Sequence, residues 1–262
     1  IGSISENKDF EKRISITPDI AKKYISNGFK VLIEKGLGEH LGIPDDKFIQ
    51  EGCKIENRDT ILSKSKIILQ LNLPNDNNLE KLNENLIIIG KFNLNENRQK
   101  ILNIVEKKIS VFSLELLPRI TRAQSMDILS SQANLAGYKA VIDSFAIFKK
   151  AIPMMMTAAG TISAAKVLVV GAGVAGLQAI ATAKRMGAIV YATDVRFASK
   201  EQVESLGGKF LSVEDGEDLE TKEGYAKEAS ENFKKKQEEL LKKSLKTSDI
   251  VICTALIPGR KA

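Results

Sequence analysis

The chain has 262 residues, 43% hydrophobic and 27% charged, which is room for one large or two smaller domains with sizeable cores. No apolar run reaches the roughly 18 residues of a membrane-spanning helix, so the chain itself is not expected to cross a bilayer. The net charge of +6 rests on lysines interleaved with glutamates, as in KEASENFKKKQEELLKKSLK, and aromatics are only 5%. That pattern is a solvated surface and no basic groove with stacking platforms, so nucleic acid is not expected as a partner.

In chain order, FKVLIE, KIILQLNL, LIIIG and ISVFSLEL are short β-branched runs that read as strands buried on both faces of a parallel sheet. Amphipathic stretches lie between them. TPDIAKKYISNG carries an N-cap Thr, a Pro at the first helical position and a Gly stop. IPDDKFIQEG and NRDTILSKS read as shorter helices. LNLPNDNNLEKLNENL is dense in Asn and too polar for core, so a surface connection is expected there. From Asp127 to about Lys150 the pattern is helical over about 36 Å, enough to join two lobes. AIPMMMTAAGT then breaks it with Pro153 and Gly160, and the three methionines are expected to pack a lobe interface. Cys53 and Cys253 are too few for a disulfide framework and read as free, at least partly buried thiols. Together with the single His40 they cannot make a zinc site. The chain starts at Ile1 without Met and so reads as a fragment.

The second half opens with AAKVLVVGAGVAGLQAIATAKRMGAIVYATDVR, which reads as strand, tight turn, helix, strand. A helix (SKEQVESLGG), a strand (KFLSV), a polar insertion, a long helix ending near Lys246 and the strand SDIVIC follow. Gly171, Gly173 and Gly176 form G-x-G-x-x-G after a strand and at the start of a helix, and Asp194 ends the next strand 18 residues beyond Gly176. Such glycines permit the tight turn, the close approach of a pyrophosphate and close strand–helix packing, and the helix N-terminus offers N–H groups to the anion. Asp194 can accept from the adenosine ribose. A carboxylate there repels a 2′-phosphate, whereas Arg196, taken as a flexible surface residue, is the weaker signal for one, so NAD(H) is expected over NADP(H). A complete fold of this type has about six strands. About four are legible, so the sequence is expected to stop before the fold is finished.

One stretch asks for more explanation. PRITRAQSMDILSSQ, Pro118 to Gln132, carries two arginines, two glutamines, an aspartate and several hydroxyls. Taken with NLAGYKAVID, PMMMTAAGT, GAGVAGLQAIATAKRMGA, ATDVR, KEQVESLGGKF, GYAKE, TALIPG and the N-terminal EKRISITPDIAKK, it resembles the NAD(H)-binding component of the proton-translocating NAD(P) transhydrogenases. The resemblance is most specific from about Leu114 to Gly208. It implies an α/β fold of two Rossmann-like lobes with mainly parallel sheets, joined by a long helix with a nucleotide cleft between them. The division expected is 1–126 for the N-terminal lobe, 127–160 for the connecting helix and linker, and 161–262 for the NAD-binding lobe. It implies direct hydride transfer between NAD(H) here and NADP(H) on a partner domain, coupled to proton movement through a membrane domain, and a homodimer. A soluble domain of a membrane complex follows: on the matrix side of the mitochondrial inner membrane, or another organelle membrane, in a eukaryote, and on the cytoplasmic face of the inner membrane in a bacterium.

Matched residue by residue, the resemblance assigns the catalytic loop to Arg119, Gln124 and Asp127 with Ser130 beside them. It assigns Tyr225 to a mobile loop that closes over nucleotide. The nucleotide-contacting set is Gly171, Gly173, Val174, Ala175, Gly176, Asp194, Val195, Tyr225, Thr254, Ala255 and Leu256, with no metal.

Two other readings stay open. An alanine dehydrogenase shares the architecture, but its chemistry needs an acid–base pair. Where that family has a Lys and a His, this chain aligns Asn72 and Lys91. A non-catalytic NAD sensor would keep the glycine turn without needing Arg119, Gln124 and Asp127. The loop also has a purely structural reading, in which Ser125 N-caps the helix and Asp127 sits in its first turn.

Overall fold

The computed structural model describes residues 1–118, 120–213 and 230–255, apart from the side chains of Asn95, Phe233 and Lys234. The chain divides into two compact units, Ile1–Asp127 and Ile128–Ala262.

The first unit alternates strand and helix: β1 Gly2–Ser3, α1 Pro18–Ser26, β2 Leu32–Glu34, α2 Asp45–Gln50, β3 Lys54–Glu56, α3 Arg58–Lys64, β4 Ile67–Leu69, α4 Asp76–Glu80, β5 Ile87–Gly90, α5 Leu94–Glu106 and β6 Ser110–Ser113. All neighbours pair parallel, in the order β3-β2-β1-β4-β5-β6. Parallel strands need crossovers, and the helices provide them while covering the sheet. The chain steps outward from β1 to β3, then returns to the other side of β1 for β4 to β6. That reversal places a topological switch point between β1 and β4.

Four of these strands were legible as apolar runs. β1 and β3 were not, because β1 is only Gly-Ser and β3 is Lys-Ile-Glu, one apolar residue between two charges. β1 is nevertheless central. Gly2 is buried, and a Cβ on it would run into the Ser65 hydroxyl and Ile61. Ser3 is fully buried and its hydroxyl is bonded to that of Ser15. The Asn-rich stretch corrects an expectation. Asn75 N-caps α4 by accepting from the Asn78 N–H, and Leu79, Leu82 and Leu86 are buried in the core with Ile68, Ile88 and Ile104. Leu79 lies in α4 and Leu82 and Leu86 in the loop that follows, and the three buried side chains anchor a polar segment. α1 begins at Pro18 as expected, but Thr17 makes no side-chain cap bond.

The second unit contains α6 Ile128–Ile147, the antiparallel hairpin of β7 Met155–Thr157 and β8 Gly160–Ile162, then β9 Lys166–Val170, α7 Val174–Arg185, β10 Ile189–Thr193, α8 Ser199–Ser205, β11 Lys209–Phe210, α9 Glu231–Leu245 and β12 Ile250–Cys253. Its sheet is parallel in the order β11-β10-β9-β12. Val167, Leu168 and Val169 of the central strand are fully buried, as a strand covered on both faces requires. α6 packs along α7 in this core through Val141 and Phe145, and Gly137 faces the Ala175 carbonyl. Residues 121–126 form a 3₁₀ turn, so α6 starts at Ile128.

Two further expectations change. Met154, Met155 and Met156 are exposed around the hairpin and not packed. Cys253 is also exposed, on the last strand, whereas Cys53 is buried and its thiol is pushed up by burial and the nearby Glu51 carboxylate. No helix among the described residues is long and apolar enough to cross a membrane.

Candidate functional site: the glycine turn of the second sheet

In the second sheet the order reverses between β9 and β12, and the carboxyl ends of these two strands meet the glycine turn. Ligands of open α/β sheets bind in the crevice at this point. Gly171 follows β9 with φ +96°, a conformation that L side chains rarely adopt. A Cβ on it would lie 2.9 Å from the Ala255 nitrogen and 3.0 Å from the Thr254 hydroxyl. The Thr254 hydroxyl donates to the Gly171 carbonyl at 2.8 Å, and the Thr254 N–H donates to the Val170 carbonyl. The loop after β12 is thereby fastened to the turn after β9. Gly176, buried in the first turn of α7, faces the Gly171 carbonyl so closely that no side chain fits.

Gly173 is different. A Cβ there would meet open space, with Arg196 Nη2 at 4.0 Å as its nearest neighbour. The turn is therefore packed at Gly171 and Gly176 and open at Gly173, on the side where α7 begins. The first-turn N–H groups of a twelve-residue helix have no partners within the helix. Val174 is exposed and Ala175 half-buried at this end. This cradle of backbone donors fits a pyrophosphate.

Asp194 follows β10 immediately, and its side chain is only 7% exposed. Its Oδ2 accepts from the Ala172 N–H at 2.7 Å and from Arg196 Nη2 at 3.0 Å. Its Oδ1 accepts from the Arg196 N–H and Nε, both at 2.9 Å. Burial pushes this carboxyl up, but the hydrogen bonds from Arg196 and Ala172 outweigh it and hold it below its ordinary value. Arg196 is thus no flexible surface residue. It is paired side-on with Asp194, a contact the sequence signals only as Asp-Val-Arg after a strand. Val195 between them is half-buried.

Gly171, Gly173, Val174, Ala175, Gly176, Asp194, Val195, Thr254 and Ala255 are accordingly gathered at one edge of one sheet. The loop residues form a separate group along the chain. Gln124 is exposed in the 3₁₀ turn, and its carbonyl accepts from the Asp127 N–H at 3.2 Å. Asp127 is half-buried and ends that turn, and Ser130 is half-buried at the start of α6. Arg119, Tyr225 and Leu256 lie outside the described residues, as does most of the insertion expected to act as a lid. Among the described residues no group of three His, Cys, Asp or Glu is placed to hold a metal ion.

Two parallel α/β units, one carrying a dinucleotide-type turn, define the class. Family models for the N-terminal and C-terminal domains of alanine dehydrogenase/PNT match residues 2–136 and 140–262. The chain is 48% identical to an NAD(P) transhydrogenase subunit alpha polypeptide of Rhodospirillum rubrum, over 98% of this chain and 69% of that one. It is 39% identical to NAD(P) transhydrogenase subunit alpha of Haemophilus influenzae, over 100% of this chain and 51% of that one. The crystal structure of transhydrogenase from Sinorhizobium meliloti superimposes with a TM-score of 0.86 at 41% identity, covering 100% of this chain and 72% of that one. An L-alanine dehydrogenase structure shares the fold, with a TM-score of 0.76 at 17% identity. The chain belongs to the family of NAD(P) transhydrogenase alpha subunits, within the wider alanine dehydrogenase/PNT group.

Proposed function

We propose that this chain supplies the NAD(H) site of a proton-translocating transhydrogenase, from which hydride passes directly to or from NADP(H) on a partner domain. One observation carries the reading: a glycine turn at the switch point of a parallel sheet, with a buried carboxylate at the tip of the adjacent strand. In this reading Gly171, Gly173 and Gly176 shape the pyrophosphate cradle, with the Val174 and Ala175 N–H groups facing the anion. Asp194 faces the adenosine ribose, and Val195, Thr254, Ala255 and Leu256 line the nucleotide. The bound nicotinamide supplies the hydride.

The remaining work is positioning. Arg119 offers a fixed fork of donors to phosphate or carboxamide oxygens. Asp127 accepts from a carboxamide NH₂, and Ser130 donates or accepts beside it. Gln124, exposed and both donor and acceptor, bridges toward the second nucleotide. Tyr225 closes the site. Direct transfer between two nicotinamides needs no acid or base at carbon. In support of this, Asn72 stands where an amino-acid dehydrogenase has its Lys, and its amide is bonded to Glu6 at 3.2 Å.

The proposal includes a homodimer, an NADP(H)-binding partner domain and a membrane proton channel, with this chain on the matrix or cytoplasmic side. The exposed Met154, Met155, Met156 and Ile162 of the hairpin support assembly, because clustered exposed apolar side chains mark interaction surfaces. Calorimetry with NADH and NADPH tests the cofactor, and NADH is expected to bind tighter. Equal or tighter NADPH binding would overturn the assignment. NADH oxidation by pyruvate and ammonia alone would replace it with alanine dehydrogenase.

A further inference from the structure

The Asp194 carboxylate has no acceptor position to spare. A carboxylate offers about four lone-pair sites. Here four N–H groups fill them: Ala172 N and Arg196 Nη2 on one oxygen, Arg196 N and Nε on the other. A ribose diol that is to be held by Asp194 must therefore displace donors already in place. Two of the four cannot leave. The Ala172 N–H belongs to the glycine turn, and the Arg196 N–H to the backbone beside the carboxylate. The other two sit on one guanidinium at the end of a rotatable stem. They present one donor to each oxygen, as the two hydroxyls of a ribose would.

The guanidinium also occupies the right space. Its Nη2 is the atom nearest to where a side chain on Gly173 would project, on the open side of the turn. Its side chain is 22% exposed, whereas that of Asp194 is 7% exposed, so Arg196 lies on the solvent side of the carboxylate.

We infer that Arg196 is a displaceable plug of the ribose subsite, filling the place of the 2′- and 3′-hydroxyls in the free protein and giving it up, bond for bond, to NAD(H). The inference rests on the NAD(H) reading above and goes beyond it in two respects. The unliganded carboxylate never stands buried and unpaired, which a buried charge cannot do cheaply. Selection against a 2′-phosphate also gains a second component. Besides being repelled by Asp194, a 2′-phosphoribose has lost one of the two hydroxyl donors needed to replace the fork bond for bond.

The test compares the full-length protein with Arg196→Met and Arg196→Lys variants, titrated with NADH, ADP and 2′,3′-dideoxy-ADP. Met keeps the stem and removes the fork, so the diol exchanges with water alone. NADH and ADP are then expected to bind about tenfold tighter, as befits hydrogen bonds to a charged group that no longer have to be broken. The Lys variant, with a charge but no fork, should gain less. Dideoxy-ADP, which has no hydroxyls to claim the site, should bind the Met variant no better than it binds the wild type. Thermal melting establishes that each variant is folded, and the Lys variant carries the test if the Met variant is not. Unchanged or weaker NADH binding by the folded variants would overturn the plug and make Arg196 a bystander or a direct nucleotide contact. An equal gain for dideoxy-ADP would overturn it too. If neither wild type nor variants bind NADH or ADP, the nucleotide reading itself falls and takes the plug with it. If all bind with one affinity, only the plug falls.

Discussion

The two units have sheets built to the same plan, and their switch points are furnished in opposite ways. In the first sheet the crevice between β1 and β4 is closed by the chain itself. Glu6, just after β1, accepts from the Leu71 N–H at 2.8 Å, the Asn72 N–H at 3.1 Å and the Asn72 amide at 3.2 Å. In the second sheet the corresponding crevice holds a bare glycine turn and a helix N-terminus, with a carboxylate one strand over. In one crevice a side-chain carboxylate consumes the backbone donors. In the other most stay open to an anion from outside. Topology creates the crevice in both cases, and the loop residues decide whether it is a joint or a site.

The largest effect is expected from closing the open crevice. Gly176→Val drives a side chain into the Gly171 carbonyl. NADH binding should be lost in calorimetry, with a fall in stability of roughly 1–3 kcal/mol from overpacking in thermal melts. Retained affinity would show that the turn does not form the cradle. Next comes the loop that precedes α6. Gln124→Asn should slow single-turnover hydride transfer to the NADP(H)-binding partner by about 10²-fold, because small misplacements of reacting atoms cost that much, with NADH affinity little changed. Full-speed transfer removes Gln124 from the mechanism.

Opening the closed crevice should matter for stability alone. Glu6→Ala strands the Leu71 and Asn72 N–H groups and should cost about 1–3 kcal/mol in urea denaturation. NADH affinity should stay the same, and a change in it would mean that the first crevice takes part in binding.

The smallest effect is a pH dependence in the first unit. The Arg13 side-chain hydrogen bond lowers the Glu11 carboxyl from its ordinary 4.5 to about 2. A depressed carboxylate contributes stability that is fully present above about 4.5 and is lost as pH falls through about 2. Arg13 is half exposed, so the contribution is at most about 1 kcal/mol. Glu11→Gln should lower the urea midpoint at pH 6 and leave it unchanged at pH 2. An equal midpoint at pH 6 would show the pair to be inert.

Much of this molecule was legible in the sequence, for local reasons. LIIIG and KVLVV announce buried parallel strands because β-branched residues covered on both faces leave no polar alternation. GAGVAG followed at fixed spacing by Asp194 announces a dinucleotide turn because backbone sterics allow few residues there. β1 was not legible, since a Gly-Ser pair becomes a central strand only through the strands that flank it. Nor were Leu79, Leu82 and Leu86, whose burial depends on the sheet they cover and not on the asparagines around them. The closure of the first crevice by Glu6 joins residues 65 and 66 positions apart. The pairing of Arg196 with Asp194 is only two residues long, yet it depends on the Ala172 N–H, 22 positions away, to orient the carboxylate. Residue types and their spacing determined which backbone conformations were possible. Tertiary structure decided which donors met which acceptors, because hydrogen-bond partners are set by distance in space and not by separation along the chain.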